Sequence, residues 1–315
     1  MSTRELVVLG TASQVPTRHR NHNGYLLLWD GQGYLFDPGE GTQRQMLLAG
    51  VRASQVHHIC VTHFHGDHCL GLPGIVQRLA LDDVPQQVGV CYPQGGEAYY
   101  QRLRHASIFQ DPGRIRAMPL REEGLVWAGP PRLIARRLDH TVECWGYRVE
   151  EPDGWAVQPQ ALQERGLRGP AVGRLLAEGQ ITWNGAVVRR ADVAEKRPGQ
   201  VFAFVMDTRL CDAAVELSSG ADLLVAESTY LSSLQREATE RGHMTASDAG
   251  RLAQSAGARR LVLTHFSQRH PRVEPFVQEA RQHHGDVVAA EDGARVPVPG
   301  RRPAKKEDGS RRGAE

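Results

Sequence analysis

The amino-acid sequence predicts an α/β protein in which sheets pack on each other and helices lie outside. Three observations carry this. Strand-like apolar runs recur along most of the chain, and helical patterns fall between only some of them. The first strands follow one another in hairpin-like succession before helices begin to alternate with strands, and the later part repeats that mixture. A single doubly wound sheet would alternate throughout. With 315 residues, 40% hydrophobic and 23% charged, the chain can bury a sizeable core as one large domain or two small ones.

The elements follow in order. "LVVLG", "YLLLW" and "YLFD" are short runs rich in branched or aromatic residues and bounded by turn residues, as strands require. Thr42–Gly50 has helical spacing and ends on glycine. "HHICVTH" is the next strand, followed by a helical pattern over Leu70–Leu81, the strand "VGVCY" and a helix over Glu97–Ala106. "RLIARRLDH", "VFAFVMD", "LLVAES" and "RLVLTH" complete the strands, with helices predicted over Ser247–Ala256 and Val273–His283. Pro152 to Gly199 is rich in turn residues around "GLRGPAVGRLLAEGQ" and reads as an insertion between two strands. From Gly300 onward, residues 300–315 form a basic tail with no apolar residue larger than alanine, and disorder is expected.

Composition excludes several classes. No apolar run is long enough to span a membrane, and the N-terminus lacks the basic-then-apolar design of a signal peptide, so a cytoplasmic location is expected. The five cysteines (Cys60, Cys69, Cys91, Cys144, Cys211) show no paired spacing, which argues against a disulfide framework or a thiolate zinc site. Cys69 reads as a small buried residue. A net charge of +2 is too weak to argue for nucleic acid, so any such function must rest on local features.

"VTHFHGDHCLGLPG" (Val61–Gly74) crowds His63, His65, Asp67 and His68 onto one turn. Three later strand-like runs end in further candidates, His140, Asp207 and His265. Strand ends suit a site because the strand fixes position and the loop leaves access. Unpaired imidazoles crowded on one turn would be costly without a metal, and imidazole with carboxylate suits zinc or a similar divalent ion. The candidates exceed the four ligands of one tetrahedral site and suffice for two metals sharing a carboxylate. His57 and His58, and His283 and His284, lack ligand spacing and read as ordinary histidines.

H-x-H-x-D-H at 63–68 with a later His, Asp and His resembles the metallo-β-lactamase superfamily. "LFDPGEGTQRQ" (Leu35–Gln45), "HTVECWGYRVE" (His140–Glu150), "MDTR" (Met206–Arg209), "GHMTASDAG" (Gly242–Gly250) and "LTHFSQRH" (Leu263–His270) narrow the resemblance to the ribonuclease Z family. "PTRHRN" (Pro16–Asn21) resembles that family's P-x-K-x-R-N loop, which reads the tRNA 3′ end. Arg18 stands where lysine is usual, Met206 where glycine is common, and "AEST" replaces a loop usually beginning His-Glu, so Ala226 cannot supply that histidine's function.

The resemblance implies a four-layer αββα sandwich of the metallo-β-lactamase type over residues 1–299, with 152–199 as an inserted flexible arm that grips tRNA across a homodimer. It implies a zinc-dependent endoribonuclease, with two Zn(2+) per subunit. Such an enzyme removes the 3′ trailer of precursor tRNA after the discriminator nucleotide and leaves a tRNA 3′-hydroxyl, through a two-metal activated water. His63, His65, His140 and Asp207 would hold one zinc; Asp67, His68, His265 and the shared Asp207 the other. Asp67 would accept the proton of the water, and His243, oriented by Glu227, would protonate the leaving oxygen. Asp37 becomes a partner for a ligand histidine. Arg18, Arg20 and Asn21 in the loop, Arg168 and Arg174 in the arm, and Arg269 would contact RNA. Two alternatives remain open from the residues. One is a hydrolase of the same superfamily acting on a small ester, thioester, lactam or phosphodiester. The other is an RNA-binding protein with a vestigial metal site.

Overall fold

The computed structural model describes residues 4–301. Strands Arg4–Gly10, Gly24–Trp29 and Gln32–Phe36 pair antiparallel in sequence, the hairpin succession expected. His58–Cys60, Val88–Pro93 and Ile115–Leu120 then add in parallel, as connections through helices dictate. Arg295–Pro297 closes the other edge of this seven-stranded sheet by pairing with Arg4–Gly10. A second seven-stranded sheet runs in the order Val287–Ala289, Arg260–Thr264, Leu223–Glu227, Val201–Val205, Cys144–Glu150, Arg132–Leu138, Gly124–Trp127. Its first four strands are parallel and the rest antiparallel.

The strands read as continuous apolar runs because both faces of each sheet are buried. In Arg4–Gly10, Leu6 and Val8 point into the core between the sheets, where they join Phe36, Trp145, Tyr147, Phe202 and Phe204. Val7 and Leu9 point the opposite way, under Met46, Leu72, Ile75 and Leu79 of helices Thr42–Leu48 and Leu72–Leu81. Outside the second sheet, helices Asp212–Ser218, Ala246–Ser255 and Glu274–Ala280 bury Leu217, Leu252 and Phe276 against Ala203, Val205, Leu224 and Leu263. Helix, sheet, sheet and helix make the four layers. Several predicted helices end earlier than their pattern: Thr42–Leu48, Glu97–Arg104 and Glu274–Ala280 lose their last residues to turns.

Residues Glu151–Gln200, with Gly300 and Arg301, form a second compact unit. The turn-rich stretch is more ordered than its composition suggested. Strands Gly154–Val157 and Ala194–Arg197 pair, as do Gln180–Trp183 and Ala186–Arg189, and short helices cover Pro159–Glu164 and Pro170–Glu178. Leu167, Ala171, Leu175, Ile181, Val188 and Val193 form a small core of its own. Its glycines end and start elements: Gly169 precedes Pro170–Glu178, and Gly179 ends it with φ 85°. Of the basic tail, Arg301 pairs with Glu151, and the remainder lies outside the described residues. Among the described residues no helix is long and apolar enough to cross a membrane.

Candidate metal centre

The seven sequence candidates converge from the carboxyl ends of strands in both sheets. The first sheet supplies His63 and His65, just past His58–Cys60, and then Asp67 and His68 on the single helical turn Gly66–Cys69. The second sheet supplies His140 past Arg132–Leu138, Asp207 past Val201–Val205 and His265 directly after Arg260–Thr264. Asp207 and His265 take left-handed backbone, with φ 43° and 60°, and so does Asp37, with φ 44°. That conformation costs a residue with a Cβ about 1–2 kcal/mol, less for aspartate. Each of these three side chains reaches the ligand cluster.

Three groups of ligand atoms result, two of them made wholly of the seven candidates. His63, His65, His140 and Asp207 form one, and Asp67, His68 and His265 another, each with its ligand atoms within 4.8 Å of one another. In the first, His63 Nε2 lies 2.9 Å from His65 Nδ1, 3.4 Å separates His65 Nδ1 from His140 Nε2, and Asp207 Oδ2 is 3.6 Å from His63 Nε2 and 3.9 Å from His140 Nε2. In the second, Asp67 Oδ2 is 3.2 Å from His68 Nε2 and 3.4 Å from His265 Nε2. Asp207 reaches this group too, with Oδ2 3.3 Å from His68 Nε2 and Oδ1 3.2 Å from His265 Nε2. Ligands bound about 2.0–2.1 Å from a tetrahedral zinc stand about 3.4 Å apart, and the observed separations scatter around that edge. Asp207 Oδ1 is buried and accepts no hydrogen bond. A buried carboxylate oxygen without a donor, facing imidazole nitrogens crowded at ligand spacing, fits a divalent cation.

Electrostatics agree. Burial, together with neighbouring imidazoles, holds His63, His65 and His140 below the ordinary histidine range, which leaves them in the neutral form that binds metal. Burial opposes charge on His68 as well, but Asp207, Asp67 and Asp37 outweigh it and raise its pKa. Burial would raise Asp67 and Asp207; the imidazoles beside them hold both carboxyls well below the usual range instead. Converging carboxylates of this kind call for a cation, whether proton or metal.

The ligands are held from behind. Asp37 Oδ2 is 2.8 Å from His68 Nδ1, and the backbone N–H of Thr62 donates to Asp37 Oδ1 at 2.7 Å. Thr62 Oγ1 is 2.9 Å from His63 Nδ1, Thr229 Oγ1 2.7 Å from His265 Nδ1, and the Gly242 carbonyl 2.9 Å from His140 Nδ1. Each contact fixes a ring and directs its other nitrogen to the centre. His243 Nδ1 lies 3.0 Å from Glu227 Oε1, and Glu227 also accepts from the Thr208 N–H at 2.7 Å. His243 shares a cavity of about 380 Å³ with His65, Asp67, His140, Asp207, His265 and Arg269. Burial disfavours its charge, yet Glu227 and Asp207 push its pKa up to about 9.

Known proteins resemble this chain in sequence and fold. Residues 17–159 match the Metallo-beta-lactamase superfamily, and residues 170–266 a Beta-lactamase superfamily domain. The chain is 56% identical over 304 residues to ribonuclease Z of Salinispora arenicola, covering 96% of this chain and 98% of that protein. It is 53% identical to ribonuclease Z of Streptomyces coelicolor, covering 96% and 100%. The chain belongs to the ribonuclease Z family. It is thus a phosphodiester-hydrolysing endoribonuclease of the tRNA 3′-processing type, with His/Asp clusters suited to metal. Among solved structures, the short form of human tRNase Z superposes with a TM-score of 0.65 at 25% identity, covering 94% of this chain and 99% of that one. The metallo-beta-lactamase fold protein YhfI from Bacillus subtilis gives 0.68 at 18% identity, covering 94% and 99%, and supports the fold alone.

Within this ribonuclease Z framework the remaining candidates separate. Arg18 is exposed and lines a second cavity, while Arg20 and Asn21 spend their side chains on backbone carbonyls of the protein itself. Arg269 is exposed at the metal cavity, its guanidinium 6.0 Å from the Tyr230 ring centre. Arg168 and Arg174 are exposed on the second unit. Met206 and Ala226, which depart from the family pattern, are both fully buried in the apolar cores. His58 stacks on Tyr34, and His283 meets Ser247 Oγ, so both stay ordinary. Cys69 is buried, with its thiol on the His65 carbonyl. Sequence reasoning missed Thr62 and Thr229. Thr62 directly precedes a ligand, a signal that could have found it; Thr229 meets its ligand across a gap of 36 residues.

Proposed function

We propose that the chain is a two-zinc ribonuclease Z that cuts precursor tRNA after the discriminator nucleotide and leaves a 3′-hydroxyl. His63, His65, His140 and Asp207 would hold one zinc, and Asp67, His68, His265 and the shared Asp207 the second. When bound, such a pair lowers the pKa of water and offsets charge developing at phosphorus. Asp67, ionised at neutral pH, accepts the proton of the attacking water. His243 works at the other end of the reaction. Its Nδ1 is engaged by Glu227 and its charged form persists at neutral pH, so Nε2 can donate to the leaving 3′ oxygen. Arg18 and Arg269 would meet RNA phosphates near the centre, and residues 152–199, through Arg168 and Arg174, the tRNA body.

The observation that carries this reading is that His243, held by buried Glu227, borders the same cavity as the ligands, with His243, Asp207 and His265 offering atoms within 4.8 Å of one another. A hydrolase of small activated esters has less need of a dedicated proton donor. The homodimer is carried by the family resemblance. An enzyme acting on tRNA precursors would work in the cytoplasm. The decisive experiment loads the protein with zinc, counts metal per chain by elemental analysis, and maps the ends produced from a precursor tRNA with a 3′ trailer. The expected result is two zinc ions and a 3′-hydroxyl on the discriminator. Hydrolysis of small esters or lactams without RNA cleavage would overturn the reading.

A further inference from the structure

The chain from Ser13 to Asn21 borders two cavities. Ser13, Gln14 and Val15 line the metal cavity; Pro16–Asn21 line a second one of about 390 Å³, together with Arg44, Gln45 and Asp292. The loop thus carries exposed Arg18 and His19 away from the metal cavity. We propose that Asp292 is the positioning residue of this loop, with Arg20 and Asn21 bracing it from within, so that Arg18 and His19 are presented to substrate. This rests on the reading that the loop meets RNA.

Asp292 is well placed to act as an anchor. It sits in the turn Glu291–Ala294, closed by Ala294 N–H to the Glu291 carbonyl at 3.0 Å, with Gly293 at φ 84°. Here the chain leaves strand Val287–Ala289 of one sheet and enters Arg295–Pro297 of the other. Gly293 N–H donates to the Val8 carbonyl at 2.8 Å, and Val8 N–H to the Ala294 carbonyl at 2.9 Å, which ties the turn to strand Arg4–Gly10, next to the sheet edge. The Asp292 carboxylate collects donors from three separate segments. Oδ2 accepts from the Asn21 N–H at 2.6 Å and from Gln45 Nε2 at 3.2 Å; Oδ1 accepts from Thr11 Oγ1 at 2.8 Å. Bonds to a carboxylate are the stronger kind, and here they gather both ends of the loop and the helix beside it.

The two internal braces complete the frame. Arg20 donates from Nη1 to the His270 carbonyl at 2.9 Å and from Nη2 to the Pro271 carbonyl at 3.1 Å, with its guanidinium 5.2 Å from the Phe266 ring centre. Phe266 follows the ligand His265, and its N–H donates to the Thr11 carbonyl at 2.9 Å. Asn21 donates from Nδ2 to the Glu40 carbonyl at 2.8 Å. The loop is therefore set against the His265 strand end on one side and Asp292 on the other. Arg18 and His19 lie between, exposed.

The test is a double-mutant cycle on precursor tRNA with Arg18→Ala, Asp292→Ala and the double variant, each checked for bound metal. If Asp292 acts through the loop, Asp292→Ala raises KM roughly tenfold, the scale of one lost arginine contact. Then kcat changes little, and the double variant is no worse than the more affected single one. Brief trypsin digestion is a second readout, in which Asp292→Ala is cut after Arg18 faster than the unmodified protein. Asp292→Asn, which keeps one oxygen acceptor, falls between the two in both assays and carries the comparison if the alanine variant does not fold. Losses that multiply in the double variant, or a fall in kcat at constant KM, overturn the inference while leaving the loop's contact with RNA intact. An Arg18→Ala variant that cleaves precursor tRNA normally overturns the underlying reading and the inference together.

Discussion

Asp37 Oδ2 lies 2.8 Å from His68 Nδ1, and both side chains are shut off from solvent. Thr62 supplies two further donors to the same carboxylate, at 2.7 and 2.9 Å, so Asp37 cannot turn away from the ring. The pair sets which nitrogen of His68 faces the centre.

Asp37→Ala should therefore weaken zinc binding by about 10–100-fold without touching a ligand atom. Titration against a competing chelator measures this. Affinity equal to that of the unmodified protein would mean that His68 is held by something else.

Asp207 and His65 should differ in kind. Asp207 lies near both groups, whereas His65 belongs to one. Asp207→Ala should abolish cleavage and deplete both metals, and His65→Ala should chiefly deplete one. Elemental analysis of the two purified variants checks this, and equal metal content in both would reject a shared carboxylate.

The pKa of His243, pushed up to about 9, fixes a sign for the pH profile. The imidazolium is present at neutral pH and is lost as pH rises through that value, so turnover should fall on the alkaline side. Cations held at Asp207 would counter part of its pull on His243, placing the limb at or below about 9. His243→Ala should keep both metals, lose the limb and lower turnover roughly a hundredfold or more. The loss should shrink on an activated aryl phosphodiester, whose leaving group needs no proton. An alkaline limb that survives in the variant belongs to another group.

The arm makes a separable prediction. Leu175 is fully buried in a core confined to the second unit. Leu175→Asp, or replacement of residues 166–179 by a short linker, should leave metal content and aryl phosphodiester hydrolysis intact. Precursor tRNA cleavage should fall through weaker binding, with a shallower dependence on salt as fewer phosphates are contacted. An altered arm that still binds tRNA as tightly would remove it from substrate recognition.

The sequence disclosed the elements whose burial leaves a pattern. Strands buried on both faces, such as Val201–Val205 and Arg260–Thr264, stand out as apolar runs. Cys144–Glu150 passed unrecognised as a strand because Arg148 and Glu150 interrupt it, and those two satisfy each other at 2.6 Å. Ile115–Leu120 and Gly124–Trp127 were hidden by their exposed positions, and Asp212–Ser218 by its length of under two turns. The ligand candidates were legible because chemistry crowds them in sequence or at strand ends. Arg20 was legible only as a motif letter. Its use as a brace depends on carbonyls at His270 and Pro271, which no local pattern reveals.

The seven ligand candidates are divided between the sheets: four follow His58–Cys60, and three follow strands of the other sheet. A metal pair bound there would act as a clasp across the open rim of the sandwich, joining halves whose shared interior is mainly apolar. Unfolding would have to release it. The melting temperature should then climb with free zinc concentration well beyond the point of saturation, and stripping the metal should loosen the rim first, raising amide exchange at the strand ends before the buried strands between them respond.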